Sequence, residues 1–449
     1  MEKKFDDMLC AEHLAGMVRF PTVSNAKSDL MDFEPFYGLH DYLEKTYPLV
    51  HKHLKREVIG RAALLYTWKG TGKSGNLPVM FTAHQDVVPV GELSGWKYPP
   101  YEGVMDEGRL WGRGTGDCKS NIMAHLEAVE ALLAEGFTPD FDIYLGYGWN
   151  EEVMGGDDNS AAALCRTLKD RGVTLGLLID EGRGPGPDPM SGITEPVEGI
   201  STCEKGYADV KIYIKDKGGH SMAPTDKCII ADLGEIARDL VNNQYPYRIV
   251  ETVAQEYKMK GRLMGEKGAI LANMENDFDA VLPLIAENPF LAAMFHTTTA
   301  VTMSSGSAQA NILPTEASIT VNFRLLPGDT VESLLVHVKD IVKDRAEVEL
   351  LKGVDPSPQS RTDSAGYLCV KELYEEMVPG VLVYPSMVPG GTDAKNYHPV
   401  CDTVLRCGGF SMGEDGGAHN YNEHVVIEGL GKGPEFFYLL MKKYGDYTV

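Results

Sequence analysis

A chain of 449 residues with 43% apolar and 24% charged positions has ordinary globular composition and is long enough for two or three domains. Its 42 Lys and Arg against 65 Asp and Glu leave a formal charge of −23, which excludes a general affinity for phosphate backbones or anionic lipid, so neither nucleic acid nor membrane is an expected partner. Eight cysteines (Cys10, Cys118, Cys165, Cys203, Cys228, Cys369, Cys401, Cys407) form no CxxC pair, the pattern of free thiols in a reducing compartment.

From Met1 to Phe20 the chain carries Glu2, Lys3, Lys4, Asp6 and Asp7 and no long apolar run, so neither a signal peptide nor an anchor is expected there. No other segment approaches the ~20 apolar residues of a membrane span, and the expected location is cytoplasmic. The first strong element is the apolar run Leu77 to Ala83, which reads as a buried strand. His84-Gln85-Asp86 follows it, at the carboxyl end where open α/β sheets keep their sites. At i and i+2 of an extended chain, Asp86 shares a face with His84 and could accept its second ring N–H, fixing the tautomer of a metal-bound imidazole. Gly112-Arg113-Gly114-Thr115-Gly116-Asp117 comes next. It lacks phosphate-loop spacing and delivers a carboxylate where a phosphate site would avoid one, so Asp117 reads as a metal ligand on a tight turn.

Between Lys119 and Glu135, Ile122, Met123, Leu126, Val129, Leu132 and Leu133 recur at helical spacing, and Gly136 offers a stop. The run Phe141 to Trp149 is a second buried strand. Strand, helix and strand with a crossover imply a parallel sheet. Glu151-Glu152 stands directly after this strand; adjacent side chains diverge, which suits one carboxylate to a metal and its neighbour to proton transfer. A third strand, Leu175 to Ile179, ends in Asp180, ahead of a Pro/Gly-rich loop from Gly182 to Gly192.

Character changes near Cys203. Asp209 to Lys215 and Ser318 to Arg324 alternate apolar and polar residues, as strands with one wet face do, while Ala231 to Asn242 and Val331 to Ala346 are helical in pattern. This places an inserted α+β domain at 203–328, with 1–202 and 329–449 forming one discontinuous α/β domain. Residues 244–299 show no clean periodicity. Near the C-terminus, His419 and His424 supply two more imidazoles. Together the His, Asp and Glu residues at successive strand ends form a mixed N/O donor set suited to a pair of zinc ions.

The segments HQDVVPV (84–90), WKYPPYEG (96–103), GRGTGDCK (112–119), NEE (150–152), IDEG (179–182), GGHS (218–221), NILP (311–314), GGTDA (390–394) and HNYNE (419–423) span nearly the whole chain. In that order they resemble the co-catalytic zinc family of aminoacylases, glutamate carboxypeptidases and succinyl-diaminopimelate desuccinylases, closest to the branch of carboxypeptidase S and the N-acyl-amino-acid hydrolases. The resemblance implies a mostly parallel catalytic domain with helices on both faces and a ferredoxin-like lid and dimerisation insert. It also implies two Zn2+ ions, with Co2+ or Mn2+ as substitutes, one held by His84 and Asp180 and the other by Glu152 and His419, with Asp117 bridging. His424 is the fallback for His419.

Glu151 would be the general base, Asp86 the partner of His84, and His220 an oxyanion contact lent across a homodimer. Asn311, Arg324, Gly390 and Gly391 match substrate-gripping positions, with Arg324 suited to a free carboxylate. The implied reaction is cleavage of an amide bond next to a free carboxylate in a small peptide, dipeptide or N-acyl amino acid. Two departures, GGHSMAP in place of a second Ser and Lys395 where Arg is common, touch no metal ligand but bear on substrate choice. The competing reading is a non-catalytic metal-binding pseudoenzyme or dimeric binding protein. Closed structural zinc sites favour Cys ligands, which argues against it.

Overall fold

The computed structural model describes residues 3–153, 158–408 and 416–447. It divides into two compact units: Met1–Thr202 with Ser360–Ser386 and Thr392–Val449, and Cys203–Gln359 with Met387–Gly391.

The first unit is built on a nine-stranded sheet. Its order is Lys55–Ile59, Ala63–Trp68, Ile143–Gly148, Val79–His84, Leu177–Asp180, Val404–Arg406, Ile193–Glu204 and Leu382–Val388, with Gly186–Asp188 paired beside Ile193–Glu204. The centre is parallel: Val79–His84 lies between Ile143–Gly148 and Leu177–Asp180, and Leu177–Asp180 pairs with Val404–Arg406. Every residue of the three central strands is buried, which explains why they read as continuous apolar runs without alternation. The helix Lys119–Ala134 makes the crossover, and Gly136 (φ 72°) ends it as expected.

Alternate strand residues feed two cores. Val79, Phe81, Ile143, Leu145, Leu177 and Ile179 join one with helices Asp7–Val18, Lys119–Ala134, Ala365–Met377 and Lys432–Lys443. Met80, Tyr144 and Leu178 join the other with Ser160–Asp170. Helices therefore cover both faces, as a parallel sheet requires.

In the second unit a four-stranded antiparallel sheet runs in the order Thr298–Ser305, Glu316–Leu325, Gly206–Lys215, Glu347–Val354. Alternation is strict in its two inner strands. Val210 and Ile212 stand opposite Val321 and Ile319, and this face buries Leu233, Ile236 and Leu240 of Ile229–Asn242 and Leu334, Val338 and Val342 of Val331–Val342. The expected boundary at 328 is corrected: Val331–Val342 packs into this core and Glu347–Val354 pairs with Gly206–Lys215, so the unit continues to Gln359. Periodicity misled there because a helix and a strand following the insert look alike whichever domain they complete.

The unplaced stretch 244–299 holds four short helices, Glu251–Lys260, Gly265–Ala272, Leu282–Glu287 and Pro289–Ala293, around Val253, Leu271, Met274, Ile285 and Phe295. None exceeds ten residues, too few turns for a readable apolar stripe. A separate two-stranded ribbon pairs Gly219–His220 with Ile312–Leu313. None of the eight cysteines forms a disulfide, and seven are buried. No helix of the described residues is long and apolar enough to cross a membrane.

Candidate metal centre

The site is assembled in the first unit, where the three central strands end. His84 closes its strand, and its Nδ1 lies 2.9 Å from the Asp86 backbone carbonyl and 3.4 Å from Asp86 Oδ1. The expected carboxylate partner is thus replaced at hydrogen-bond distance by the carbonyl of the same residue. This still fixes the ring orientation and the proton on Nδ1, with Nε2 facing the site. The Asp86 carboxylate accepts the backbone N–H groups of Glu151 and Glu152, each at 3.1 Å, so it orients the Glu-Glu pair.

Asp117 lies at the centre. Its Oδ1 is 2.9 Å from His84 Nε2, and its Oδ2 is 3.1 Å from His419 Nε2. His419 Nε2 also lies 2.8 Å from Glu152 Oε2, and His84 Nε2 lies 3.4 Å from Glu181 Oε2. Two groups of donors result, each with its atoms within 4.8 Å of one another: His84, Asp117, Cys118 and Glu181, and Asp117, Glu152 and His419. Asp117 belongs to both.

At the third strand end it is Glu181, and not the expected Asp180, that falls within the donor group of His84. Asp180 and Glu181 are successive residues at a strand end, so their side chains diverge. Glu181 Oε2 lies 3.4 Å from His84 Nε2, while the charge of Asp180 bears on Glu181, Asp393 and Tyr397. The motif IDEG contained both carboxylates, and only the pleat decides between them. His424, the fallback, pairs with Trp111 in a strand and stacks 4.4 Å from its ring, so His419 is the imidazole at the centre.

Like charges crowd this pocket. Burial, then Glu181 and Asp393, push Glu151 well above the usual carboxylate range. Burial and Asp117 lift Glu181 to about 8. Asp117 goes the other way, since His419 and His84 outweigh its burial and hold it below the ordinary value. Hydrogen bonds to the carboxylates of Asp117 and Glu152 raise His419 to about 10. A pocket of clustered carboxylates with two imidazoles turned inward is the environment of a bound cation, and the N/O donor set with one shared carboxylate fits two of them.

The glycine-rich turn also holds an anion, but a protein one. The carboxylate of Glu423, fully buried, accepts the N–H groups of Gly114, Gly116 and Asp117 and one N–H of Arg113. Gly114 is required there, because its φ is 87° and a Cβ would sit 2.7 Å from Val87 Cγ1. The spacing of HNYNE behind His419 was the available signal for Glu423; its partner is 309 residues away in sequence.

The remaining expected residues lie in the second unit. His220 and Asn311 are exposed on the small ribbon, where the Asn311 carbonyl accepts Ser221 N–H and His220 Nδ1 accepts Met222 N–H at 3.1 Å. Arg324 lies on the wet face of the four-stranded sheet, 4.8 Å over the Tyr207 ring. Gly390 and Gly391, partly exposed, follow the strand Leu382–Val388.

The family model of peptidase family M20/M25/M40 matches residues 80–443. A probable carboxypeptidase S-like protein of Dictyostelium discoideum is 31% identical over 98% of this chain and 86% of its own length. An N-fatty-acyl-amino acid synthase/hydrolase of Danio rerio is 31% identical over 95% of this chain and 84% of its own. Among solved structures, an M20 family metallo-carboxypeptidase of Sulfolobus solfataricus superposes with a TM-score of 0.72 at 19% identity, covering 97% of this chain and 99% of that one. These relatives are named as enzymes, and the non-catalytic reading finds no support among them. The chain belongs to peptidase family M20/M25/M40, the metal-dependent peptidases and amidohydrolases.

Proposed function

We propose that the chain hydrolyses the amide bond that joins an acyl group, or a preceding residue, to an amino acid with a free carboxylate. The observation that carries the reading is Asp117, whose two oxygens face two different imidazoles, each with a further carboxylate beside it. His84, Asp117 and Glu181 would hold one divalent cation and Asp117, Glu152 and His419 a second, zinc being the first choice for this donor set. When bound, such cations supply Lewis acidity, polarising the scissile carbonyl and acidifying a water.

The protein's own contribution is proton transfer and positioning. Glu151 takes a proton from the attacking water and passes it to the leaving nitrogen, so one carboxylate serves as base and then acid. Asp86 keeps Glu151 and Glu152 in place through their backbone N–H groups. We assign His220 and Asn311 to the carbonyl oxygen and Arg324 to the substrate carboxylate, with Gly390 and Gly391 offering backbone contacts. All are solvent-accessible in their unit, as substrate-facing groups must be.

The names of the relatives favour this substrate class: a carboxypeptidase S of Saccharomyces cerevisiae is 31% identical over 97% of this chain and 84% of its own length. A homodimer through the second unit belongs to the same reading. Its edge strand Thr298–Ser305 carries an exposed Met303, and exposed apolar edges are paired or covered in stable proteins. Eight cysteines outside any disulfide suit a reducing compartment, and we assign the protein to the cytoplasm.

The test is hydrolysis of a panel of N-acyl amino acids and dipeptides by zinc-loaded protein beside Glu151→Gln. The variant should keep its metal content and lose about 10²- to 10⁴-fold in kcat. Zinc uptake without cleavage of any panel member would sink the assignment of substrate class.

A further inference from the structure

In the Gly112–Asp117 turn, successive backbone N–H groups converge on one point, the arrangement that elsewhere cradles phosphate. Here Glu423 Oε1 accepts from Gly114 at 3.1 Å, Gly116 at 2.9 Å and Asp117 at 3.1 Å. Its Oε2 accepts from Arg113 Nη1 at 2.7 Å, and its backbone carbonyl accepts Gly112 N–H at 2.9 Å. Both Glu423 and Arg113 are buried, at 0% and 2% exposure, so water cannot substitute for either. One of the three amides is that of Asp117, the residue shared by the two donor groups.

Glu423 also governs the other end of its own segment. His419 lies four residues earlier, and the residues between are pinned one after another. The Tyr421 hydroxyl accepts Glu92 N–H at 3.2 Å, and Asn422 Oδ1 accepts Lys97 N–H at 2.6 Å. His419 itself adopts φ 65°, a left-handed turn that needs its neighbours held. One buried carboxylate thus sits between the element that presents Asp117 and the element that presents His419.

We propose that Glu423 is a positioning residue for the metal centre: a fixed internal anion that sets the direction of Asp117 and the reach of His419 at once. The proposal rests on the metal-holding reading of the donor groups. With glutamine in its place, one oxygen still accepts the amides but more weakly, and an NH2 group faces the buried guanidinium, which loses its acceptor. The turn then rearranges to find other partners, and the Asp117 oxygens no longer divide between the two imidazoles.

The experiment is competition of the full-length protein with a chromophoric chelator for Zn2+, together with the visible spectrum of the Co2+-loaded protein. Glu423→Gln, which keeps shape and loses charge, should weaken cation affinity about 10- to 100-fold, the usual cost of removing an outer hydrogen-bond partner, and change the Co2+ bands. A folded variant with wild-type affinity and an unchanged Co2+ spectrum would overturn the proposal. Should Glu423→Gln fail to fold, Arg113→Lys takes its place: it keeps the charge but not the fork, a smaller loss in the same direction is expected, and wild-type affinity overturns the idea. Wild-type protein that takes up no divalent cation would instead overturn the metal-centre reading itself.

Discussion

The strand ends of the first unit and the wet face of the second unit's sheet use the same kinds of residue to opposite effect. On the wet face charges meet opposite charges or aromatic rings: Lys211 lies 2.9 Å from Glu316, and Arg324 lies over Tyr207. Such pairs face solvent, which screens them, and neither brings like charges together. At the strand ends Glu151, Glu152, Glu181 and Asp117 converge with two imidazoles for the whole group, and burial pushes Glu151, Glu152 and Glu181 above their ordinary range. Chemistry arises where like charges are buried together and only a cation resolves them.

The sharpest way to break that comparison is to move the charge by one residue. Glu181→Gln should lower cation affinity well beyond the roughly 10- to 100-fold expected for an outer partner, because a donor itself is lost. Asp180→Asn should stay within that range. Chelator competition on both variants decides it, and the reverse order would return the ligand role to Asp180. On the other side stands His220. Its alanine variant should lose on the order of 100-fold in kcat, as removal of one oxyanion donor does, with metal content unchanged. Unaltered kcat would leave His220 as nothing more than part of a surface ribbon.

Much of this contrast is legible in the order of residues alone. Continuous apolar runs mark Val79–His84 and Ile143–Gly148, and alternation marks Gly206–Lys215 and Glu316–Leu325, because burial on two faces or one writes itself directly into the residue pattern. His84, Asp117, Glu152 and His419 are legible for the same reason, as polar residues stopping apolar strands or closing distinctive motifs. Which of Asp180 and Glu181 faces His84 depends on a side-chain direction that no periodicity encodes. The limit of the insert fails because strand pairing across more than 140 residues, such as Tyr207 with Val354, leaves no local mark. Glu423 lies hidden for that reason too: its meaning comes from a turn more than 300 residues earlier.

Burial alone does not make a strand-end residue reactive, and a second imidazole of the same unit sharpens the point. His125 is fully buried in the helix Lys119–Ala134, with Phe437 at 4.2 Å and Tyr147 at 5.9 Å between ring centroids. No carboxylate balances it, and burial by itself drives its pKa down to about 3, whereas His84 among its acids is pushed well up despite burial. Because the folded pKa of His125 lies below the unfolded value of about 6.5, its contribution to stability is complete above pH ~6.5 and is lost as pH falls toward about 3. At pH 5 the unfolded chain has taken the proton and the folded chain has not. That difference of about 1.5 pH units is worth about 2 kcal/mol. Urea unfolding of wild type and His125→Phe at pH 7.5 and pH 5 isolates the effect: the variant should lose about 2 kcal/mol less on acidification. Equal losses in the two proteins would mean that His125 finds a partner for its proton, and that the apolar interior of this unit is less closed to charge than its aromatic packing implies.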